Sequence, residues 1–138
     1  MSSALFDTLG NRKYLTARER LAFVYAASKQ SEQVSTFCLT RAFTGARLSE
    51  VLSLTVTRID AADEAIILET LKQRRAGVFR AVLMPRSLIP LLIAYASRQQ
   101  GRIWPWGRTT AWKLVKAVMR DAGIMDCLAK SLASRICD

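Results

Sequence analysis

The sequence predicts an α+β fold that is mainly α, a helical domain carrying a small three-stranded antiparallel sheet. Four segments show the i, i+3, i+4 apolar spacing of amphipathic helices. They are residues 16–29, 31–43, 86–100 and 109–122. Three short runs of β-branched and apolar residues, at 55–59, 65–71 and 78–84, indicate strands. Because short turns separate these runs, neighbouring strands are expected to be antiparallel.

The ends of the helices carry recognisable signals. Thr16 and Glu19 have the spacing of a capping box, which begins the first helix. Gly45 fits the left-handed position just past the second helix, and Gly123 ends the last one. The residues expected to face the core are Leu21, Phe23, Val24, Ala27, Val34, Phe37, Cys38, Phe43, Leu88, Leu91, Leu92, Tyr95, Trp112, Val115 and Met119. Trp104 and Trp106 are expected to pack in the core, with base stacking as the alternative.

The charge of the chain is strongly one-sided. The formal net charge is +10 over 138 residues. No acid falls between Thr70 and Arg120, although that window holds 11 of the 21 basic residues. Such a segment suits a polyanion, most simply nucleic acid. A basic surface without a partner is the alternative, and an anionic membrane is disfavoured because the basic residues form no single helical stripe.

Composition excludes several classes of site. The sequence has no histidine, which rules out a histidine general base, a Ser-His triad and a histidine-ligated metal. The three cysteines, Cys38, Cys127 and Cys137, lack metal-ligand spacing, so we expect neither a metal nor a cofactor. Their odd number favours a reducing cytoplasm. No apolar run reaches the roughly 18 residues of a membrane span.

The rest of the chain is expected to be arranged around one stretch, residues 42–54. It reads Ala-Phe-Thr-Gly-Ala-Arg-Leu-Ser-Glu-Val-Leu-Ser-Leu and predicts a turn followed by a short helix. Arg47 follows the turn directly, which would hold its guanidinium in place to grip a phosphate through two hydrogen bonds. Glu50 lies three residues later on the same helical face and would brace the arginine.

This stretch resembles the first arginine box of the tyrosine recombinases, the phage integrase family, whose pattern is Thr-Gly-x-Arg-x-Ser-Glu-x-x-x-Leu. The matching residues are Thr44, Gly45, Arg47, Ser49, Glu50 and Leu54. The resemblance implies the fold of the N-terminal two thirds of a recombinase catalytic domain, with Arg47 on the scissile phosphate and Glu50 supporting it. An amphipathic helix with a surface salt bridge is the alternative.

The same resemblance assigns roles to downstream basic residues. Residues 72–77, Lys-Gln-Arg-Arg-Ala-Gly, form a predicted basic hairpin loop, where the family carries a catalytic lysine. Lys72 is thereby implied to donate a proton to the leaving oxygen, with a solvated lysine as the alternative. The remaining residues expected to contact DNA are Arg74, Arg75, Arg80, Arg108, Lys113 and Lys116.

The resemblance stops at Ile124. The family continues with His-x-x-Arg or Lys-x-x-Arg and later with the nucleophilic tyrosine, but residues 125–138 contain neither histidine nor tyrosine. The expected organisation is an N-terminal extension at 1–15, a partial catalytic domain at 16–124 and a divergent tail at 125–138. The sequence therefore predicts a DNA-binding domain that is catalytically inactive as the chain stands, truncated before the second half of the active site.

Other interpretations remain open on sequence alone. The chain could pair with a full-length recombinase, form a homodimer through its C-terminal region, or be a non-functional remnant of a mobile-element integrase. A phosphodiester enzyme that uses Ser49 or Cys38 as nucleophile is a further rival, although no general base accompanies either residue.

Overall fold

The computed structural model describes residues 16–70 and 78–124. Its elements in chain order are α1 (Ala17–Ser28), α2 (Glu32–Thr44), α3 (Leu48–Leu52), a 3-10 turn (Val56–Arg58), β1 (Ile59–Asp60), β2 (Ala65–Glu69), β3 (Phe79–Leu83), α4 (Leu88–Ala96) and α5 (Arg108–Asp121). This order confirms the predicted α+β class, mainly helical with one small sheet. The expectations for residues 1–15, 71–77 and 125–138, including a C-terminal dimer contact, lie outside the described residues.

The helices form a core because each presents one apolar face. α1 begins with the predicted capping box: the Thr16 side chain accepts from the Glu19 N–H at 3.1 Å, and the Glu19 carboxylate accepts from the Thr16 N–H at 2.9 Å. α1 packs against α2 and α5, and α2 packs against α4. Phe37, Leu92 and Met119, from three different helices, are fully buried together.

The sheet has the order β1-β2-β3 with antiparallel neighbours, as predicted. On β2, Ile66 and Leu68 are buried and therefore face the helices. Their partners across β3 are Val82 and Arg80. Since side chains alternate along a strand, Arg80 points to the same side as these buried residues. The sheet consequently brings one arginine to its inner, helix-facing side.

The first predicted strand, residues 55–59, is mostly wrong. Thr55 forms an isolated bridge with Arg102, Val56–Arg58 is a 3-10 turn, and only Ile59 continues as the two-residue β1. The β-branched composition of this run suits extended backbone in general. The Thr55 carbonyl, however, accepts from the Arg58 N–H at 3.0 Å, and this local turn replaces a strand ladder.

Two predicted core leucines are exposed, Leu21 by 70% and Leu91 by 58%. α1 buries Phe23, Ala26 and Ala27, and at about 100° per residue Leu21 falls on the opposite side of that helix. Leu91 lies about 100° from the centre of the buried face of α4. The predicted helix over 86–100 is also shorter, because 3-10 bonds from Arg98 and Gln99 tighten its end.

Trp104 is a core residue, as expected. It is fully buried, its ring meets Phe37 edge to face at 5.3 Å, and its Nε1–H donates to the Thr36 hydroxyl at 3.1 Å. Trp106 is half-buried and meets the same phenyl ring at 5.3 Å. A backbone bond from Ile103 N–H to the Leu54 carbonyl, 2.9 Å long, fastens this loop to the end of α3.

Two classes of feature are not found in the described part of the chain. Over residues 16–70 and 78–124, no helix is long and apolar enough to cross a membrane. The same residues contain no cluster of acidic or cysteine side chains placed to hold a metal ion.

Replacing Trp104 by Phe should lower the free energy of unfolding by about 2 kcal/mol, because it removes a buried hydrogen bond and part of a buried ring. Urea unfolding followed by circular dichroism measures the change. Trp106→Phe is the matched control, and its half-buried ring should cost less than half as much. Equal losses for the two variants would contradict the assignment of Trp104 to the core.

Candidate nucleic-acid interface

The turn before Arg47 is held by backbone geometry. α2 ends at Gly45, whose φ of 64° and ψ of 19° are left-handed, and the Gly45 N–H donates to the Arg41 carbonyl at 3.0 Å. The Thr44 hydroxyl donates to the Thr40 carbonyl at 2.7 Å and accepts from the Ala46 N–H at 3.1 Å. The chain thus reverses within two residues at the place predicted from Gly45.

Arg47 is the N-cap of α3, with extended backbone (φ −68°, ψ 152°) and a half-buried side chain. An N-cap residue immediately precedes the first helical turn, so its side chain leaves the backbone at a fixed point at the start of α3. The residue therefore occupies the position that the sequence predicted for it, at the start of the short helix after the turn.

Glu50 is almost completely buried, with 1% exposure. Its Oε1 accepts from the Arg47 backbone N–H at 3.0 Å, which is the acidic half of a capping box. The carboxylate also receives the Arg80 guanidinium, with 3.1 Å from NH2 to Oε1 and 3.5 Å from NH1 to Oε2. Glu50 thereby supports the backbone of the arginine turn and, in addition, forms an ion pair that the sequence interpretation missed.

Arg80 connects this carboxylate to the predicted basic hairpin. Besides Glu50, its NH1 donates to the Thr70 hydroxyl at 3.2 Å. Thr70 follows β2, and its N–H donates to the Val78 carbonyl at 2.8 Å, closing the described end of the β2-β3 ladder. The base of the hairpin therefore lies against the Arg47 turn. Lys72, Arg74 and Arg75 lie just beyond Thr70, outside the described residues.

The remaining predicted DNA contacts are on α5. Arg108 is its first residue, and Lys113 is exposed on the side opposite the buried Ala111 and Val115. Lys116 is half-buried, with its Nζ 5.5 Å from the centre of the Trp112 ring. Since α5 packs against α3, these basic residues belong to the same compact unit as Arg47.

Folding changes the one-sided charge of residues 70–120. Among the described residues of this window, at least three arginines meet carboxylates from other parts of the chain: Arg80 meets Glu50, Arg86 meets Glu64 at 3.0 Å, and Arg98 meets Glu32. The last two pairs are exposed, so solvent screens them. Only the first has a buried acid, which sets it apart as a structural contact within the site.

Burial makes Cys38 and Tyr95 poor candidates for a nucleophile. Cys38 is fully buried, and burial raises the pKa of its thiol to about 12 despite the opposing influence of Arg41. A thiol with this pKa stays protonated at neutral pH and is a poor nucleophile. Tyr95 is also buried, and desolvation raises the pKa of its phenol. Both side chains are core residues in this fold.

Two solved structures, a recombinase and an integrase, superpose on this chain. XerA recombinase superposes with a TM-score of 0.68 at 18% identity, over 82% of this chain and 44% of that one. The integrase from mycobacterium phage Brujita superposes with a TM-score of 0.61 at 15% identity, over 91% of this chain and 47% of that one. The chain has a recombinase/integrase-like fold. It spans less than half the length of either protein.

The recombinase/integrase-like fold confirms the expected architecture. The similarity is found by comparing structures and not by comparing sequences. No protein-family model matches the sequence, and no curated protein does. The backbone similarity persists at 15–18% identity because a fold depends on apolar pattern and turn geometry more than on particular side chains.

Replacing Gly45 by Ala should lower the free energy of unfolding by about 1–2 kcal/mol, since a Cβ is strained at positive φ. An added Cβ would meet no atom within 4 Å, so the cost comes from the backbone and not from a clash. Gly45→Asn should cost less, because asparagine tolerates the left-handed region. Urea unfolding of the two variants checks the order, and an alanine variant as stable as the parent would refute the argument.

Proposed function

We propose that this chain is a recombinase-like DNA-binding domain that does not carry out strand transfer as it stands. The observation that carries the proposal is the joining of the Arg47 turn to the base of the basic hairpin. Through Glu50 and Arg80, the Arg47 turn is linked to Thr70, which pairs with Val78 on the other side of the predicted basic loop.

This geometry is suited to a sugar-phosphate backbone. A half-buried arginine whose backbone is held in a turn is a favourable partner for an anionic phosphate oxygen, because its guanidinium can donate two parallel hydrogen bonds. Lys72, Arg74 and Arg75 follow Thr70 within five positions of the sequence, outside the described residues. DNA phosphates recur along each strand, so two neighbouring basic elements can be occupied by neighbouring phosphates. Lys113 on α5 adds an exposed basic residue to the domain.

Strand transfer needs a nucleophile and a general acid or base. The resembling family attacks the phosphodiester with a tyrosine near the C-terminus, whereas Tyr95 is the last tyrosine of this chain and is buried in α4. The sequence has no histidine to serve as general acid or base. Arg47 supplies one positive charge for a developing phosphorane, but a fixed charge without a nucleophile binds and does not cleave.

Duplex DNA binding should be detectable by fluorescence anisotropy at low salt and should fall steeply as salt rises, because phosphate contacts release counterions. Arg47→Gln should weaken binding roughly tenfold and reduce the salt slope by about one. No binding at low salt would contradict the proposal.

Arg98→Gln is the matched control for that measurement. Arg98 pairs with Glu32 at the beginning of α2, whereas Gly45 follows the end of the same helix, about 18 Å away. This variant loses one exposed arginine without touching the Arg47 turn. Its affinity for DNA should therefore stay within about twofold of the parent.

Incubation with supercoiled plasmid should leave the plasmid unrelaxed, and no covalent protein–DNA adduct should appear on a denaturing gel. The physical reason is the missing nucleophile. Relaxation that disappears in Arg47→Gln would instead assign the chain a phosphodiester-cleaving activity, and Ser49→Ala would then test whether that hydroxyl serves as the nucleophile.

A further inference from the structure

We propose that Arg80 is a positioning residue, which links Thr70, the first residue after β2, to the Arg47 turn through Glu50 and does not itself bind phosphate. The inference rests on the proposed DNA-binding function and deepens it. It also changes the role predicted for Arg80 from sequence, which was a direct contact with DNA.

The contacts of Arg80 run between two elements. On one side its guanidinium meets both oxygens of the Glu50 carboxylate, at 3.1 and 3.5 Å. On the other side it meets the Thr70 hydroxyl at 3.2 Å. Glu50 in turn accepts from the Arg47 backbone N–H at 3.0 Å. A continuous chain of hydrogen bonds thus leads from the backbone of the arginine turn to the first residue after β2.

Burial distinguishes this ion pair from the other arginine–carboxylate pairs described. Glu50 is 1% exposed, whereas Glu64 and Glu32, which pair with Arg86 and Arg98, are 37% and 51% exposed. A buried carboxylate has lost its hydration, so its charge must be compensated by the arginine that pairs with it. Arg80 is 42% exposed, so its outer side reaches solvent while its inner side is committed to Glu50.

A direct phosphate contact conflicts with these commitments. Both terminal nitrogens of Arg80 already donate to protein oxygens. Turning the guanidinium toward DNA would leave the Glu50 charge buried and unpaired, immediately beside Arg47. That negative charge would then compete with the phosphate for Arg47. In its observed position Arg80 neutralises the charge of Glu50 and keeps Thr70 joined to the Arg47 turn. Both effects favour DNA binding through Arg47.

The role predicts energetic coupling between Arg80 and Arg47. If Arg80 acts by orienting the turn, its loss already removes most of what Arg47 contributes, so the two losses do not add. A residue that merely supports the overall fold would weaken DNA binding without this specific coupling. A residue that grips its own phosphate would act additively, and the salt slope of the double variant would be lowered by about two.

The experiment is a double-mutant cycle with Arg80→Gln, Arg47→Gln and the double variant, measured as duplex DNA affinity over a series of salt concentrations. We expect Arg80→Gln to weaken binding roughly tenfold and to lower the salt slope by about one, because the phosphate contact of Arg47 is lost with it. When Arg80→Gln is already present, adding Arg47→Gln should lower the DNA affinity less than threefold further. Thermal unfolding of each variant, run in parallel, shows whether it is folded at the assay temperature.

Two further variants keep the test decisive. Arg86→Gln is the matched control. Arg86 follows β3, the strand that carries Arg80, and it pairs with a carboxylate that is exposed. It should change affinity less than twofold and leave the Arg47→Gln cost unaltered. Thr70→Val removes the hairpin contact while keeping Glu50 compensated, so it tests this link even if Arg80→Gln does not fold. It should weaken binding severalfold.

The outcomes separate the two claims. Additive losses, with the salt slope of the double variant lowered by about two, would overturn the positioning role and make Arg80 a phosphate contact. Unchanged affinity in Arg80→Gln, or in Thr70→Val if the former does not fold, would also overturn it and leave the proposed function intact. If the parent protein fails to bind duplex DNA at low salt, the proposed function is wrong and this role with it.

Discussion

The buried carboxylate of Glu50 is the constraint on which the site depends. A carboxylate at 1% exposure must be compensated, and it receives the Arg47 backbone N–H on one side and the Arg80 guanidinium on the other. Those partners come from the start of α3 and from β3, so satisfying one charge also fixes the relative position of a helix and a sheet. The hydrogen bond from Arg80 to the Thr70 hydroxyl extends the same contact to the end of β2.

The arginine turn itself is a local device with few degrees of freedom. Gly45 adopts the left-handed conformation that ends α2, and the Thr44 hydroxyl bonds both the preceding turn and the Ala46 N–H. Because Arg47 is also the N-cap of α3, its backbone is held from both directions. A long, flexible side chain can present its guanidinium reproducibly only if its Cα is fixed in this way, which reduces the entropy lost on binding an anion.

The basic surface is smaller than the linear distribution of charge suggests. The window from Thr70 to Arg120 lacks acids, yet the fold brings Glu32, Glu50 and Glu64 onto three of its arginines. The two exposed pairs remain available to solvent and ions. The Glu50 pair is different, because its acid is sealed inside the protein and its arginine becomes part of the scaffold. Local sequence composition therefore overstates how many arginines are available to a polyanion.

The sequence by itself determined what depends on neighbours along the chain: the helical periodicities, the Thr16 capping box, the left-handed Gly45, the two main strands and the Arg47 turn. It was wrong where a local pattern had two outcomes, as at residues 55–59, and where helix orientation mattered, as at Leu21 and Leu91. Only the tertiary structure decided the partner of Glu50, since Arg80 lies 30 positions away. Pairings at such separation follow from the packing of the sheet on the helices, which no periodicity within either element encodes.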